Sequence, residues 1–150
     1  MIQRIQTLWF LISAAAAGLL MAGNISDLTA KNGVNYSVGF SGLYRGGHLL
    51  TPLYPISVIL VLLLLLSVAG ILLYKNRKIQ KLFTYGIIIF SLSLILMIIY
   101  SSYRVINDFA ADLVFGPKLI LLAVMPLSAY LAYRGIKKDD ELIKSYDRLR

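Results

Sequence analysis

The chain has 150 residues, 59% of them hydrophobic, and a mean hydropathy of +0.77. That is more apolar surface than one soluble core of this length can hide, and it falls in blocks of membrane-spanning length, so the sequence predicts an integral membrane protein of one domain, 1–150. The formal charge of +8 comes from cations beside those blocks, where the positive-inside bias and anionic headgroups account for them, so the expected partners are the lipid bilayer and other membrane proteins, with no nucleic acid. The lack of cysteine excludes disulfides, thiolate metal sites and dithiol redox chemistry.

The first block, residues 5–23, follows Arg4 and has the outline of a secretory signal, but its apolar length exceeds a usual signal core and predicts a retained helix. Ala14, Gly18 and Ala22 recur every four residues, which makes one side nearly flat. Either that side receives another helix closely, or it reflects only how common Ala is in membrane helices.

Residues 24–54 form the one sizeable polar loop. Asn32-Gly33 favours the positive φ angles of a two-residue hairpin turn, and Val34, Tyr36, Val38 and Phe40 alternate with smaller or polar residues after it. The expectation is a short β-hairpin lying over a helix bundle. Two strands alone are marginal in water, so its apolar face needs the helix ends, a further strand or a partner.

The second block, residues 55–74, contains no charge and fourteen Ile, Leu or Val, and at about 1.5 Å per residue it spans roughly 30 Å, the thickness of bilayer hydrocarbon. The basic turn with Lys75, Arg77, Lys78 and Lys81 resists translocation and orients the molecule. A third helix is predicted over residues 82–100. Residues 101–116 then form a short connection in which Asp108 and Asp112 share one face if it is helical, with Arg104 and Lys118 as ion partners. The fourth helix, residues 117–134, contains Pro126, which predicts a kink. Eleven of the fifteen Lys and Arg lie at the termini and the basic turn, which puts both termini in the cytoplasm.

The tail, residues 135–150, has Ile136, Leu142, Ile143, Tyr146 and Leu149 at helical spacing among charged residues, and predicts an amphipathic cytoplasmic helix. Lipid headgroups could cover its apolar stripe, but Asp139, Asp140, Glu141 and Asp147 offset most of its cations. The tail is therefore expected to dock on protein. Its acids would pair with Arg77 and Lys78 of the basic turn, or the surface made by Leu142, Tyr146, Asp147 and Arg148 would meet a partner subunit.

The fold class expected from these elements is an all-α membrane protein: a four-transmembrane-helix bundle with a short hairpin in the first extracytoplasmic loop and an amphipathic C-terminal helix. No catalytic, metal or cofactor site is expected. The single His48 has neither Cys nor a second His to share a metal, no Ser-His-Asp set or phosphate loop is present, and the spans contain no ionisable group to carry an ion. Three segments resemble a family of small bacterial membrane proteins catalogued as domain of unknown function 4293, found chiefly in Bacteroidota. They are Met1 to Thr7, Lys75 to Gln80, and Ile136 to Leu142 with Ser145 to Arg150. The resemblance runs end to end and departs at Asp140, where the family pattern has Glu. It implies the inner membrane of a Gram-negative bacterium and supplies no activity. Four helices with a strand-bearing first loop also look like the claudin and tetraspan architecture, and Gly42-Leu43-Tyr44 is similar to the claudin Gly-Leu-Trp motif; without a Cys pair that likeness implies fold alone. The first expectation for function is a non-catalytic accessory or scaffold subunit of an inner-membrane complex. A small self-associating transporter or channel comes second and an intramembrane enzyme third.

Overall fold

A computed structural model of the chain describes residues 3–31, 33–73 and 76–148, with side chains at its two ends from residue 5 to residue 141. The elements run α1 (Gln3–Met21), β1 (Asn24–Ala30), β2 (Asn35–Gly39), β3 (Gly42–Arg45), β4 (His48–Pro52), α2 (Tyr54–Leu72), α3 (Arg77–Phe109), β5 (Ala111–Val114) and α4 (Lys118–Arg148). α1 and α3 lie diagonally, each packing on α2 and α4, and the sheet caps one end of this square.

Among the described residues three helices are long and apolar enough to cross a membrane, Tyr54–Leu72, Arg77–Phe109 and Lys118–Glu141; Ile5–Met21 is a shorter apolar helix. The inward positions recur three or four apart: Ile56, Leu60, Leu63, Ser67 and Gly70 on α2, and Ile87, Ser91, Leu94 and Ile98 on α3. Outward positions such as Leu65, Ile89, Leu96 and Leu127 are equally apolar, as a surface solvated by lipid requires. At the α1–α2 contact a Cβ on Gly70 would lie 2.5 Å from Cε1 of Phe10, so the absent side chain is what lets the buried ring seat there.

The fold is not all-α. Five antiparallel strands form one sheet in the order β4-β3-β2-β1-β5. The expected hairpin is β1–β2, but it is joined by two further strands of the first loop and by β5 from the connection after α3. The physical reason is the one that makes an isolated hairpin marginal: Leu28, Ala30, Tyr36 and Val38 need cover, and added strands together with the end of α3 supply it. The hairpin turn also differs. Gly33 has φ +77° and its N–H bonds Ala30 O, while Ala30 N–H bonds Val34 O, so the turn closes at Ala30 and Val34 with Gly33 in a left-handed conformation.

α3 is 33 residues long, about 50 Å, and so carries well past the bilayer thickness to the sheet. Ser101, Ser102 and Val105 are buried there, Ser102 Oγ lies 3.3 Å from Ser26 Oγ of β1, and Phe109 stacks on Tyr36 at 4.6 Å between ring centroids. The helix ends at Ala110 in the left-handed region, φ 47°. Asp108 and Asp112 therefore do not share a helical face: Asp108 pairs with Arg104 at 4.0 Å, while Asp112 sits on β5 opposite Thr29. Lys118 reaches the other way and donates to Ala22 O, a carbonyl left free where α1 ends.

α4 runs unbroken through Pro126 and continues to Arg148, so the tail is a prolongation of the fourth helix and not a separate one. Ala14, Gly18 and Ala22 are not the packing face of α1. Gly18 and Ala22 are exposed, and nothing lies within 4 Å of a Cβ built on Gly18. α1 instead buries Gln6, Phe10, Ser13, Ala17 and Leu20, because on this side the Phe10 ring seats against Gly70 of α2 and Gln6 finds a hydrogen-bond partner on α4.

Candidate functional site

At the end of the bundle away from the sheet, polar side chains from three helices converge. Asn76 caps α3, its Oδ1 accepting from Ile79 N at 3.4 Å, which places Arg77, Gln80 and Lys81 in the first turns of that helix. Gln80 is buried and its Nε2 donates to Gly70 O at 3.0 Å, tying α3 to the end of α2. On α4, Gly135 lets α1 approach: a Cβ there would lie 3.1 Å from Cγ of Gln6. Gln6, 4% exposed, then donates from Nε2 to Oδ2 of Asp139, 7% exposed.

Adjacent residues on a helix point about 100° apart, so Asp139 and Asp140 face different neighbours. Asp140 turns to α3, where its carboxylate pairs with Lys81 and lies 3.8 Å from Nη1 of Arg77. Both partners are partly exposed, so these pairs are screened and each contributes less than about 1 kcal/mol. Three buried polar atoms here have no hydrogen-bond partner among the described residues: Oδ1 of Asp139, Oε1 of Gln80 and Nη1 of Arg77.

Of the residues picked out from sequence, Arg77, Asp139 and Asp140 are brought to this cluster. Lys78 is exposed and makes no ion pair among the described residues. The side chains of Leu142, Tyr146, Asp147 and Arg148 lie outside the described residues, as does Lys75. Gln6 and Gln80 are not singled out by the sequence, and Lys81 only as part of the basic turn; the signal for the two glutamines is an amide beside an apolar run, at a depth where a polar side chain needs a partner.

A second surface lies on the sheet. All five residues of β4 are exposed, and a bulge between Leu43 and Tyr44 takes Leu50 out of the β3–β4 pairing. Leu50 joins Leu43, Leu53 and Tyr100 around a cavity of about 320 Å³ with Arg104 and Asp108 on its rim.

Among the described residues no group of three His, Cys, Asp or Glu is placed to hold a metal ion. Four serines of the spans donate to carbonyls of their own helix, Ser67 to Leu63 O at 2.7 Å, Ser91 to Ile88 O at 2.9 Å, Ser93 to Ile89 O at 3.0 Å and Ser128 to Met125 O at 2.9 Å, while Ser67 Oγ also lies 3.2 Å from Ser13 Oγ of α1 and Ser57 donates to Phe40 O at 2.6 Å.

No curated protein matches the chain. The segments resembling one family are those that meet in the polar cluster, through Gln6, through Arg77 and Gln80, and through Asp139 and Asp140. In agreement with this, the family described as domain of unknown function DUF4293 matches residues 2–149, and the chain belongs to that family.

Proposed function

We propose that the chain is a non-catalytic accessory subunit of a larger bacterial inner-membrane assembly, and that it meets its partner through β4. The observation that carries this is an edge strand that leaves Leu49 51% and Leu50 46% exposed. Native sheets normally guard such an edge with charge, Pro or a covering element. Here Pro52 ends the strand and the bulge disturbs its ladder, so a second copy is a poor match for backbone pairing. A partner that inserts apolar side chains beside Leu50, in the cavity with Tyr100, fits better. The serine hydroxyls bonded to their own helices favour this reading over a self-assembled pore.

In the membrane arrangement that goes with this reading, α1 is a fourth span. It is 19 residues long, and Ile5, Leu8, Leu11 and Leu19 face outward as lipid-facing positions do. Arg77, Lys81, Arg134, Lys137 and Lys138 cluster at the end away from the sheet, and the positive-inside bias supports a cytoplasmic side for both termini and a periplasmic one for the sheet.

Affinity purification in mild detergent followed by mass spectrometry tests the proposal. A stoichiometric membrane partner is expected with the native chain and its loss is expected with Leu49→Lys/Leu50→Lys. A native chain that emerges alone overturns it, and solute flux in liposomes holding this protein alone would replace it with a transporter.

A further inference from the structure

We propose that the outer face of α4 holds an anionic phospholipid by its phosphate, in the leaflet at the end of the bundle away from the sheet. Along this face Leu127 and Tyr130 are exposed at membrane depth, and Arg134, Lys137 and Lys138 follow, also exposed. From residue 127 to residue 138 the helix rises about 16 Å, so one stripe passes from acyl-chain surroundings through an aromatic ring to cations at headgroup height. A groove of about 460 Å³ opens there between Tyr130, Tyr133, Arg134, Lys137, Lys138 and Glu141.

Three features give this groove a defined shape. Tyr133 packs on Tyr85 of α3, with ring centroids 5.1 Å apart at 50°, which fixes one wall. Asp139 and Gly135 are turned inward to Gln6, and that rotation of α4 is what keeps Arg134 and Lys138 outward. Lys137 lies 3.9 Å from Glu141, which leaves Arg134 and Lys138 without an ion partner among the described residues. The two are four residues apart on one face, close enough to straddle a single phosphate, with the guanidinium fork offering two parallel donors. The apolar wall continuing down to Leu127 favours a lipid over a free anion, because acyl chains lie along it while inorganic phosphate gains nothing from it.

This inference does not depend on β4 or on any protein partner. Its test is native mass spectrometry of the detergent-purified chain, titrated with equimolar phosphatidylglycerol and phosphatidylcholine. The native chain is expected to retain phosphatidylglycerol about tenfold or more over phosphatidylcholine, given about one favourable contribution per basic residue at the surface. Arg134→Gln/Lys138→Gln should bring the two lipids to parity. Arg134→Lys/Lys138→Arg, which keeps both charges, should preserve the preference and shows that the face tolerates substitution. Arg104→Gln, at the sheet end, should leave it unchanged. Equal retention of the two lipids by the native chain, an undiminished preference in the Gln pair, or displacement of the lipid by millimolar inorganic phosphate would each overturn the proposal.

Discussion

Gln6 and Asp139 lie 133 positions apart in sequence and are joined by a buried hydrogen bond, the amide of the first donating to the carboxylate of the second. This bond closes α1 onto α4 at the level where the fourth helix leaves the membrane region and becomes the tail. Because one oxygen of Asp139 already lacks a partner, the amide is the carboxylate's one side-chain donor among the described residues. Removing it strands a buried acid. Gln6→Leu should therefore cost about 1–3 kcal/mol even though it adds apolar area. Asp139→Asn, which keeps shape and hydrogen bonding, should cost less. Thermal unfolding in detergent measures both, and equal melting temperatures for Gln6→Leu and the native chain would refute the role given to the amide.

Asp140 supports the tail differently, through partly exposed pairs with Lys81 and Arg77. Asp140→Lys replaces attraction by repulsion from both cations, an effect of order 1 kcal/mol or less at this exposure. That is small for the bundle and large for the far end of one helix, which frays locally before the core opens. The expected result is faster trypsin cleavage near Lys137 and Lys138 in membranes with an unchanged melting temperature, and the difference should shrink in high salt.

The helical end of the chain away from the sheet was more legible than the rest because its signals are local. An uncharged run of fixed length, a basic turn and acids at helical spacing each speak within a few residues. β5 gave no such signal: Asp112, Leu113 and Val114 are too few to show alternation, and their strand character comes from pairing with Thr29, Leu28 and Asp27, more than eighty residues earlier. The small-residue face of α1 misled for a related reason. Spacing locates a flat side but not its direction, which was decided by where Phe10 could find a glycine in another helix.

That contact yields a prediction in which two effects oppose. Gly70→Ala improves helix propensity by up to about 1 kcal/mol, but the new Cβ would lie 2.5 Å from Cε1 of the buried Phe10 ring, and overpacking of this kind costs about 1–3 kcal/mol. Net destabilisation is expected. Pairing it with Phe10→Leu should recover part of the loss, so a double-mutant cycle that shows strict additivity would count against the contact.

At Gly33 there is no steric opponent, since nothing lies within 4 Å of an added Cβ, and the cost is purely that of φ +77°. Gly33→Ala should lose about 1–2 kcal/mol. Gly33→Pro, confined to negative φ, should break the turn outright. Hydrogen exchange at Ala30, whose N–H bonds Val34 O at 2.9 Å, reports on the turn directly and should accelerate in the order native, Ala, Pro.

Beside Ser26 on Ser102, Tyr36 is one of the contacts that hold the sheet to the bundle. The residue is 1% exposed, its ring stacks on Phe109 at 4.6 Å and 23°, and Cζ of Arg45 lies 5.9 Å from its centroid, so strand β2, strand β3 and the end of α3 all meet on one side chain. Tyr36→Ala should cost about 3–5 kcal/mol by opening a cavity the size of the ring and leaving Phe109 without its partner. Tyr36→Phe keeps the stack and should cost far less. The loss should be confined to the sheet, because the helices also pack on one another through Leu60, Leu63, Leu94 and Met125. Hydrogen exchange should then show β1 and β2 losing protection together with residues 101–109 of α3, while the membrane-embedded turns of α2 and α4 keep theirs. If the helices lost protection along with the strands, the sheet would be an integral part of the bundle's folding unit and not a cap that opens on its own.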